Sequence, residues 1–252
     1  MIQHFIGMLV LTLLTITSVA AQNGAPAAPK PAALPTVDEI LDKYVKAIGG
    51  KEAIEKISSR AGKGTMELEG MSLSGPVEMY AKAPNKTAVF IDLQGVGKIA
   101  NVFDGEKAYS ASPMDGLREL SGAEFAQAKR NADFYQPLNF KKNFAKLEVK
   151  GKEKVGASET YVVEATPATG DPQKLYFAAD TGLLVRMDSD NETPQGKMSF
   201  EVYFSDYKDV DGIKVAHSVR QVTSAFTIVM KLSEVKHNVT VDDAKFAKPA
   251  GQ

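Results

Sequence analysis

The sequence contains no cysteine and no tryptophan, and only three of its 252 residues are histidines. Without cysteine, the chain forms no disulfide bond and has no Cys-x-x-Cys-His site for covalent attachment of haem. His4 lies in an N-terminal apolar run, which leaves His217 and His237, fewer than the three or four ligands of a typical zinc site. We therefore predict neither a metal ion nor a cofactor, and a fold stabilised by burial of apolar surface alone.

The chain also has no excess of charge of either sign, since it contains 30 Lys and Arg residues and 31 Asp and Glu residues. The basic residues occur in pairs such as Lys129-Arg130 and Lys141-Lys142 rather than in a long run. A protein that binds nucleic acid or an anionic membrane surface usually concentrates its positive charge. The sequence therefore predicts no nucleic-acid partner and only transient contact with a membrane.

Two glycine-rich strings resemble nucleotide-binding motifs but lack the context that such motifs need. Gly95-Val-Gly97-Lys-Ile-Ala100 is followed by Asn101-Val-Phe103, which is typical of a strand, whereas a dinucleotide site needs a helix to begin there. Gly62-Lys63 lacks the first glycine of a phosphate-binding loop. We predict a hairpin turn for the first string and a phosphate site for neither.

Catalytic and calcium-binding patterns are equally scarce. His-Glu-x-x-His and Gly-x-Ser-x-Gly motifs do not occur. Asp188-Ser-Asp190-Asn-Glu192 has carboxylates at alternate positions, but Thr193 stands where a calcium loop requires glycine. We predict that this segment forms a solvated turn. The residue pattern as a whole predicts that the protein is not an enzyme.

The N-terminal region has the features of an export signal. The apolar run from Phe5 to Ile16 is too short for a transmembrane helix, which needs ~20 apolar residues, and it ends in Val19-Ala20-Ala21. Residues 1–21 are therefore predicted to be a cleaved signal peptide for export to the periplasm. The alternative is an uncleaved signal anchor that tethers the chain. The sequence further predicts three segments: an Ala/Pro-rich linker over 22–35, a single domain over 36–248 and a tail over 249–252.

Two parts of the chain show the spacing of helices. Thr36 and Glu39 form a capping-box pattern, after which apolar residues recur at helical spacing until Gly49-Gly50 ends the helix. A short second helix is predicted over residues 51–57. Further on, Ser121-Gly-Ala-Glu124 repeats the capping-box pattern. An apolar stripe at helical spacing follows it, formed by Phe125, Ala128, Ala132 and Tyr135, and Pro137 ends this helical pattern.

Most of the remaining sequence alternates apolar and polar residues with the period of two that is typical of strands. Turn signals such as Asp104-Gly105, Asp180-Thr-Gly182 and Asp211-Gly212 separate the runs, so neighbouring strands are expected to be antiparallel. We expect about ten or eleven strands. The predicted fold class is mainly β (α+β), with one strongly curved antiparallel sheet whose concave face is covered by a few helices.

Large apolar side chains are concentrated in the central helical segment and in the early strands. The first group is Phe125, Phe134, Tyr135, Phe140 and Phe144, and the second is Met66, Met71, Leu73 and Met79. Flexible thioethers suit a cavity that accepts acyl chains of variable shape. The alternative is ordinary packing between the helices and the sheet.

The order of these segments resembles the LolA/LolB-like superfamily of outer-membrane lipoprotein-sorting proteins, in particular its bacterial envelope branch. Four segments carry the resemblance: Val37-Asp-Glu-Ile-Leu-Asp-Lys-Tyr-Val-Lys-Ala-Ile-Gly-Gly50, Lys63-Gly-Thr-Met-Glu67, Asp180-Thr-Gly-Leu-Leu-Val-Arg186 and Tyr207-Lys-Asp-Val-Asp-Gly-Ile-Lys214. The resemblance covers most of residues 36–248.

This resemblance implies a half-barrel of about eleven strands that helices close around an apolar cavity. It further implies non-covalent carriage of a lipid or an acylated protein through the periplasm, without a cofactor. The residues expected to face the ligand are Leu73, Val89, Ile91, Leu93, Phe125, Phe134, Phe140 and Phe144. The alternative function is a non-enzymatic envelope interaction module with a filled core, which binds a protein partner by a sheet edge or by its helical face.

Overall fold

The structure, a computed structural model, describes residues 33–193 and 196–250. The predicted signal peptide, most of the predicted linker and the end of the predicted tail lie outside these residues, so their boundaries stay predictions. Among the described residues, no helix is both long enough and apolar enough to cross a bilayer.

The described chain contains four α-helices and thirteen strands. The helices are α1 (Val37–Ala47), α2 (Lys51–Glu55), α3 (Gly122–Asn131) and α4 (Phe140–Asn143). The first six strands are β1 (Ser59–Leu68), β2 (Leu73–Lys82), β3 (Lys86–Leu93), β4 (Gly97–Phe103), β5 (Ala108–Ser112) and β6 (Gly116–Glu119). The other seven are β7 (Lys146–Val155), β8 (Ser158–Thr166), β9 (Gln173–Ala178), β10 (Leu184–Thr193), β11 (Gly196–Val210), β12 (Ile213–Val222) and β13 (Thr227–His237). Two short 3-10 helices lie at Gln136–Leu138 and Asp243–Phe246.

All thirteen strands belong to one antiparallel sheet in the order β6-β5-β4-β3-β2-β1-β13-β12-β11-β10-β9-β8-β7. The chain builds this sheet as two meanders, β1 to β6 and β7 to β13, and the pairing of β1 with β13 joins them. The sheet is not closed into a barrel, because β6 and β7 are its two edges. The predicted fold class, a curved antiparallel half-barrel with few helices, is confirmed.

The sheet has thirteen strands rather than about eleven because sequence alternation did not mark either edge strand. β6 is only four residues long, and β7 carries a charged side chain at most of its positions. Short length and lysine-rich sequence are common at sheet edges, where they discourage pairing with another chain. Alternation detects strands that bury one apolar face, so these two strands were missed.

The position of α3 shows how strongly the sheet curves. This helix contacts both β5 and β10, which stand eight strands apart in the strand order. In a flat sheet those strands would be about 38 Å apart, whereas ten helical residues span only about 15 Å. The sheet must therefore bend until its two halves face each other, with α3 lying across the concave side.

The four α-helices lie on this concave side, which we call the inner face. α2 packs on β12 through Ile54 and Ile213, and the end of α3 packs on β4 through Ala132 and Phe103. The opposite, outer face of β3 and β4 is covered by the C-terminal segment through Phe246. The largest cluster lies where α1 and α4 meet the strands of the second meander, with the buried members Ile40, Leu41, Phe140, Phe144, Val163, Ala165, Leu175, Phe177 and Leu184.

The two predicted capping boxes have different outcomes. At α1, the Thr36 hydroxyl accepts a hydrogen bond from the Glu39 backbone N–H at 3.2 Å, and the Glu39 carboxylate accepts one from the Thr36 N–H at 2.8 Å. This box is confirmed. At α3, Ser121 is the N-cap residue but its side chain makes no capping hydrogen bond. The second box is wrong because the Glu124 carboxylate accepts from Arg118 Nη2 of β6 at 3.0 Å instead.

The two glycine-rich strings are structural. Residues 94–96 form the turn between β3 and β4, as predicted. Gly64 lies at a bulge between β1 and β13, and a Cβ there would overlap the carbonyl oxygen of Lys231. Glycine is therefore needed at this position for the close approach of two backbones.

The predicted turn around Asp188 and Asp190 is wrong, because both residues lie within β10. The Asp188 carboxylate accepts hydrogen bonds from Arg186 Nε at 2.6 Å and from the Tyr176 hydroxyl at 2.7 Å. The Asp190 carboxylate accepts one from the Ser199 hydroxyl at 2.6 Å. Neighbouring strands thus supply partners for these carboxylates, and the segment continues as a strand instead of turning.

Gly49 and Gly50 offer a matched test of the contact between the end of α1 and the β11–β12 turn. Their φ angles are +127° and +86°, so alanine at either position strains the backbone by about 1–2 kcal/mol. At Gly49 a Cβ would also overlap the Gly212 carbonyl oxygen, whereas at Gly50 it would meet nothing within 4 Å. We expect Gly49→Ala to lower the free energy of unfolding by about 1–3 kcal/mol more than Gly50→Ala in urea denaturation. Equal losses would contradict this packing.

Candidate functional site

The inner face of the first meander carries the four strand residues that were predicted to face a ligand. Arg60 of β1 marks this face, because its guanidinium carbon lies 5.8 Å from the centre of the Phe134 ring in the helical insertion, residues 120–145. Side chains alternate along a strand, and directly paired residues share a face. Arg60 pairs with Ala81 of β2, and β2 pairs in regular register with β3. This register places four residues on the inner face: Leu73, Val89, Ile91 and Leu93. Their contact with a ligand stays a prediction.

Around these residues the inner face forms an apolar surface that we call the floor. It consists of ten half-buried aliphatic side chains on six neighbouring strands: Leu68, Leu73, Met79, Val89, Ile91, Ile99, Val219, Ile228, Met230 and Leu232. None of the ten belongs to the four clusters that pack the helices and the C-terminal segment. Three residues on the same face, Met66, Val77 and Leu93, are buried, with exposures of 7%, 1% and 4%. The floor therefore leaves apolar surface in contact with water.

The four predicted phenylalanines divide between the cover over the sheet and its core. Phe125 of α3 lies 6.0 Å from Phe103 between ring centres, and both Phe125 and Phe134 are half-buried. Phe140 and Phe144 are 5% and 6% exposed and stack on each other in the cluster beneath α1. The structure thus brings the strand residues together on the floor and places Phe140 and Phe144 in a separate packed cluster. Helical spacing could not separate these roles, because both surroundings are apolar.

Arg60 is the candidate functional residue that sequence reasoning missed. Its Nε donates a hydrogen bond to Nε2 of His237 at 3.1 Å, but no oxygen atom of the described residues accepts one from its Nη atoms. By contrast, Arg118, Arg186 and Arg220 each pair with a carboxylate. Burial lowers the pKa of Arg60. The only signal for Arg60 in the sequence was its spacing, since it lies an even number of positions from the inner-face residues of β1.

His237 is paired with Arg60 across the junction of β1 and β13 and is almost completely buried. Because its Nε2 accepts the hydrogen bond from Arg60, the proton of the neutral ring lies on Nδ1. Nδ1 has no hydrogen-bond partner among the described residues, and Asp211 Oδ2 lies 3.6 Å away. Burial and the Arg60 charge lower the pKa of His237 and outweigh the opposing effects of Asp211 and of the Val210 backbone. The ring is therefore neutral at neutral pH.

A second concave feature, which we call the helical cleft, lies between α1, α2 and the helical insertion. Its volume is about 770 Å³, within the range of small-molecule sites. Leu41, Val45 and Leu138 contribute apolar walls, while Asp38 and Lys51 contribute charge. No floor residue lines this cleft. Among the described residues, no group of three His, Asp or Glu side chains is arranged to hold a metal ion.

Comparison with known proteins finds the fold but no sequence relative. No family model matches the chain, and no curated protein matches its sequence. A solved DUF1329 family protein from Desulfovibrio piger has a TM-score of 0.58 at 17% identity, over 84% of this chain and 97% of its own. A LolA superfamily protein from Nitrosomonas europaea has a TM-score of 0.55 at 14% identity, over 85% of this chain and 99% of its own.

An outer membrane lipoprotein-sorting protein domain from Vibrio parahaemolyticus has a TM-score of 0.54 at 10% identity, over 83% of this chain and 95% of its own. At such low identities these likenesses establish the fold alone. The resemblance drawn from the sequence is therefore confirmed at the level of the fold, which is that of LolA superfamily proteins.

The neutral state of His237 predicts a pH dependence of stability. In the unfolded chain its pKa is near ~6.5, and in the folded chain it is lower, so the unfolded state binds the proton more readily. The free energy of unfolding should therefore fall as the pH falls through the unfolded value towards the folded one. His237→Gln keeps an acceptor for Arg60 and should lose less stability between about pH 7.5 and about pH 5.5 in urea denaturation. An identical loss in both proteins would show that His237 does not contribute.

Proposed function

We propose that the protein is a non-enzymatic periplasmic carrier that holds the acyl chains of a lipid or an acylated protein on the floor. The floor is the observation that carries this proposal. Its ten half-buried aliphatic side chains lie on the concave side of the sheet and belong to none of the packed clusters. Apolar surface that a fold leaves in contact with water inside a concavity is typical of a ligand site.

Burial of the acyl chain supplies the binding energy in this proposal. Each methylene group removed from water contributes ~0.8 kcal/mol, so ten of them contribute about 8 kcal/mol before the entropic cost of association. This gross value corresponds to a dissociation constant of about 1 μM. Longer chains and the methionines of the floor, which adapt to variable shapes, would strengthen binding. No covalent chemistry is needed for capture or for release.

The likeness of fold supports the same proposal. One of the solved structures is named as an outer membrane lipoprotein-sorting protein domain and another as a LolA superfamily protein, each matched over more than nine-tenths of its own length. The cargo and the periplasmic location belong to the proposal.

The sheet edges disfavour the alternative of strand addition to a protein partner. β7 presents lysines at residues 146, 150, 152 and 154 and is interrupted by a bulge next to Gly151. β6 has only four residues, and its Arg118 is bound to Glu124 of α3. Charged side chains, bulges and short strands are the features that keep an edge from pairing with another chain.

One helix on the inner face, α3, is weakly held. None of the residues of α3 is buried, whereas α1 buries both Ile40 and Leu41. α3 is attached to the first meander by the half-buried Phe125 and by the ion pair between Arg118 and Glu124. Elements with few buried contacts open at low free energy. We infer that α3 moves aside when cargo enters or leaves.

Adjacent residues of β13 test the floor with a matched control. Ile228 faces the floor and Val229 faces the outer side, and both are half-buried. Ile228→Gln should raise the dissociation constant for a fluorescent acyl probe about tenfold, since it removes apolar contact and adds a polar group. Val229→Gln should leave it within about twofold of the unsubstituted protein. Equal effects of the two substitutions would remove the floor as the binding surface.

The ion pair on α3 gives a kinetic test of the cover. Glu124→Gln breaks the link to Arg118, and we expect exchange of a bound acyl probe to become about two- to fivefold faster in stopped-flow measurements, as suits a partly exposed pair. Glu119→Gln is the control, because Glu119 pairs with Lys107 and, among the described residues, forms no ion pair with α3. If both variants exchange at the original rate, α3 is not the moving element.

A further inference from the structure

We propose that the cargo is a long-chain carboxylic acid, whose carboxylate binds the Arg60 guanidinium while its acyl chain lies along the floor. This inference rests on the proposed function, because it specifies the lipid that the floor holds. It assigns a ligand-binding role to Arg60, with His237 as the residue that positions it.

The guanidinium of Arg60 has hydrogen-bond donors left for a ligand. Its Nε is engaged by His237, and no oxygen of the described residues accepts from the two Nη atoms. Among those residues, Nδ1 of His237 is the one side-chain nitrogen or oxygen that is fully enclosed without a partner. The Nη atoms are therefore not fully enclosed by the protein. Two parallel N–H groups of a guanidinium match the two oxygens of a carboxylate.

Among the residues that the structure describes, no carboxylate pairs with the positive charge of Arg60. Its pKa is affected by burial and by Tyr44, and by no carboxylate. Burial raises the pKa of Tyr44 to about 12, so this neighbour is uncharged. Asp211 lies on the far side of His237 and its side chain is 68% exposed. A partly buried cation without an anion is unfavourable, and a bound carboxylate would relieve this cost.

In this proposal the acyl chain runs from Arg60 along the inner face of β1. The next inner-face residue is Gly62, which has no side chain to fill this position; an added Cβ would lie 3.6 Å from the Glu234 carbonyl oxygen and 3.9 Å from Leu232 and Met79. From Arg60 to Leu68, where the floor ends, the strand spans about 26 Å. Half of the hydrocarbon thickness of a bilayer is about 15 Å, so a membrane-derived chain fits within this length.

Part of the helical insertion lies over Arg60. The Phe134 ring is 5.8 Å from the guanidinium carbon, and the Phe134 N–H donates a hydrogen bond to the Pro84 carbonyl at 3.0 Å. The Tyr135 hydroxyl donates one to the Ile57 carbonyl at 3.0 Å. The helical insertion is thus tied to the β2–β3 turn and to the segment that precedes β1. In this proposal the covered position takes a carboxylate rather than the larger head group of a phospholipid.

Two ligands that differ only in the head group test the inference. Hexadecanoic acid and hexadecan-1-ol would each be titrated against the purified, delipidated protein, with displacement of the uncharged dye Nile red as the signal. The unsubstituted protein should bind the acid at least about tenfold more tightly than the alcohol. Arg60→Gln should abolish this preference, because it should lower the affinity for the acid and leave the affinity for the alcohol unchanged. Arg60→Lys, which keeps the charge without the fork, should retain part of it.

Arg220→Gln is the control, because Arg220 is an exposed outer-face arginine that pairs with Glu69, and its loss should leave both affinities unchanged. If the acid and the alcohol bind the unsubstituted protein equally well, the Arg60 inference is overturned while the apolar carrier proposal stands. If neither displaces the dye, both are overturned. Tighter binding of a phospholipid than of the acid would also contradict the inference. The comparison of acid with alcohol needs no variant, so the test remains decisive even if Arg60→Gln does not fold.

Discussion

The pairing of β1 with β13 is the interaction on which the rest of the structure depends. These strands come from opposite ends of the described domain, and each is the first or last member of a meander. Their hydrogen bonds join a six-stranded meander and a seven-stranded meander into one sheet, which is wide enough to bend until its halves face each other. The same ladder sets Arg60 directly opposite His237, so the polar end of the inner face is a direct product of the register. Gly64 permits the bulge within this ladder.

The curvature then decides which apolar surface becomes core and which stays open. The second meander is filled by α1 and α4, whose aromatic and aliphatic side chains pack against β8 and β9. The first meander receives only the more loosely packed α3 near Phe103, and its strands keep half-buried aliphatic side chains on the inner face. One sheet thus combines a half packed by helices with a half whose inner face the helices leave largely unfilled, which is the half proposed to hold the ligand. A carrier needs both, since it must stay folded when it is empty.

Sequence patterns predicted the parts of this fold that depend on local chemistry. The Thr36 cap, the glycines after α1 and the alternation of β2 and β3 were sufficient to place α1 and to put Val89 and Ile91 on one face. The edge strands were missed because solubility, rather than core packing, sets their sequence. Arg60 was missed because the proposed role depends on its surroundings in the fold, where no carboxylate of the described residues pairs with it. For the same reason, spacing alone could not distinguish the core residue Phe140 from the cover residue Phe134.

The central claim is that acyl chains lie on the floor, and photolabelling tests it most directly. A fatty acid with a diazirine in the middle of its chain would be bound to the purified protein, irradiated, and the adducts mapped by mass spectrometry of peptides. We expect adducts on inner-face residues of β2, β3 and β13, such as Met79, Ile91 and Met230. Labelling confined to the helical cleft, at residues such as Leu138 and Val45, would contradict it.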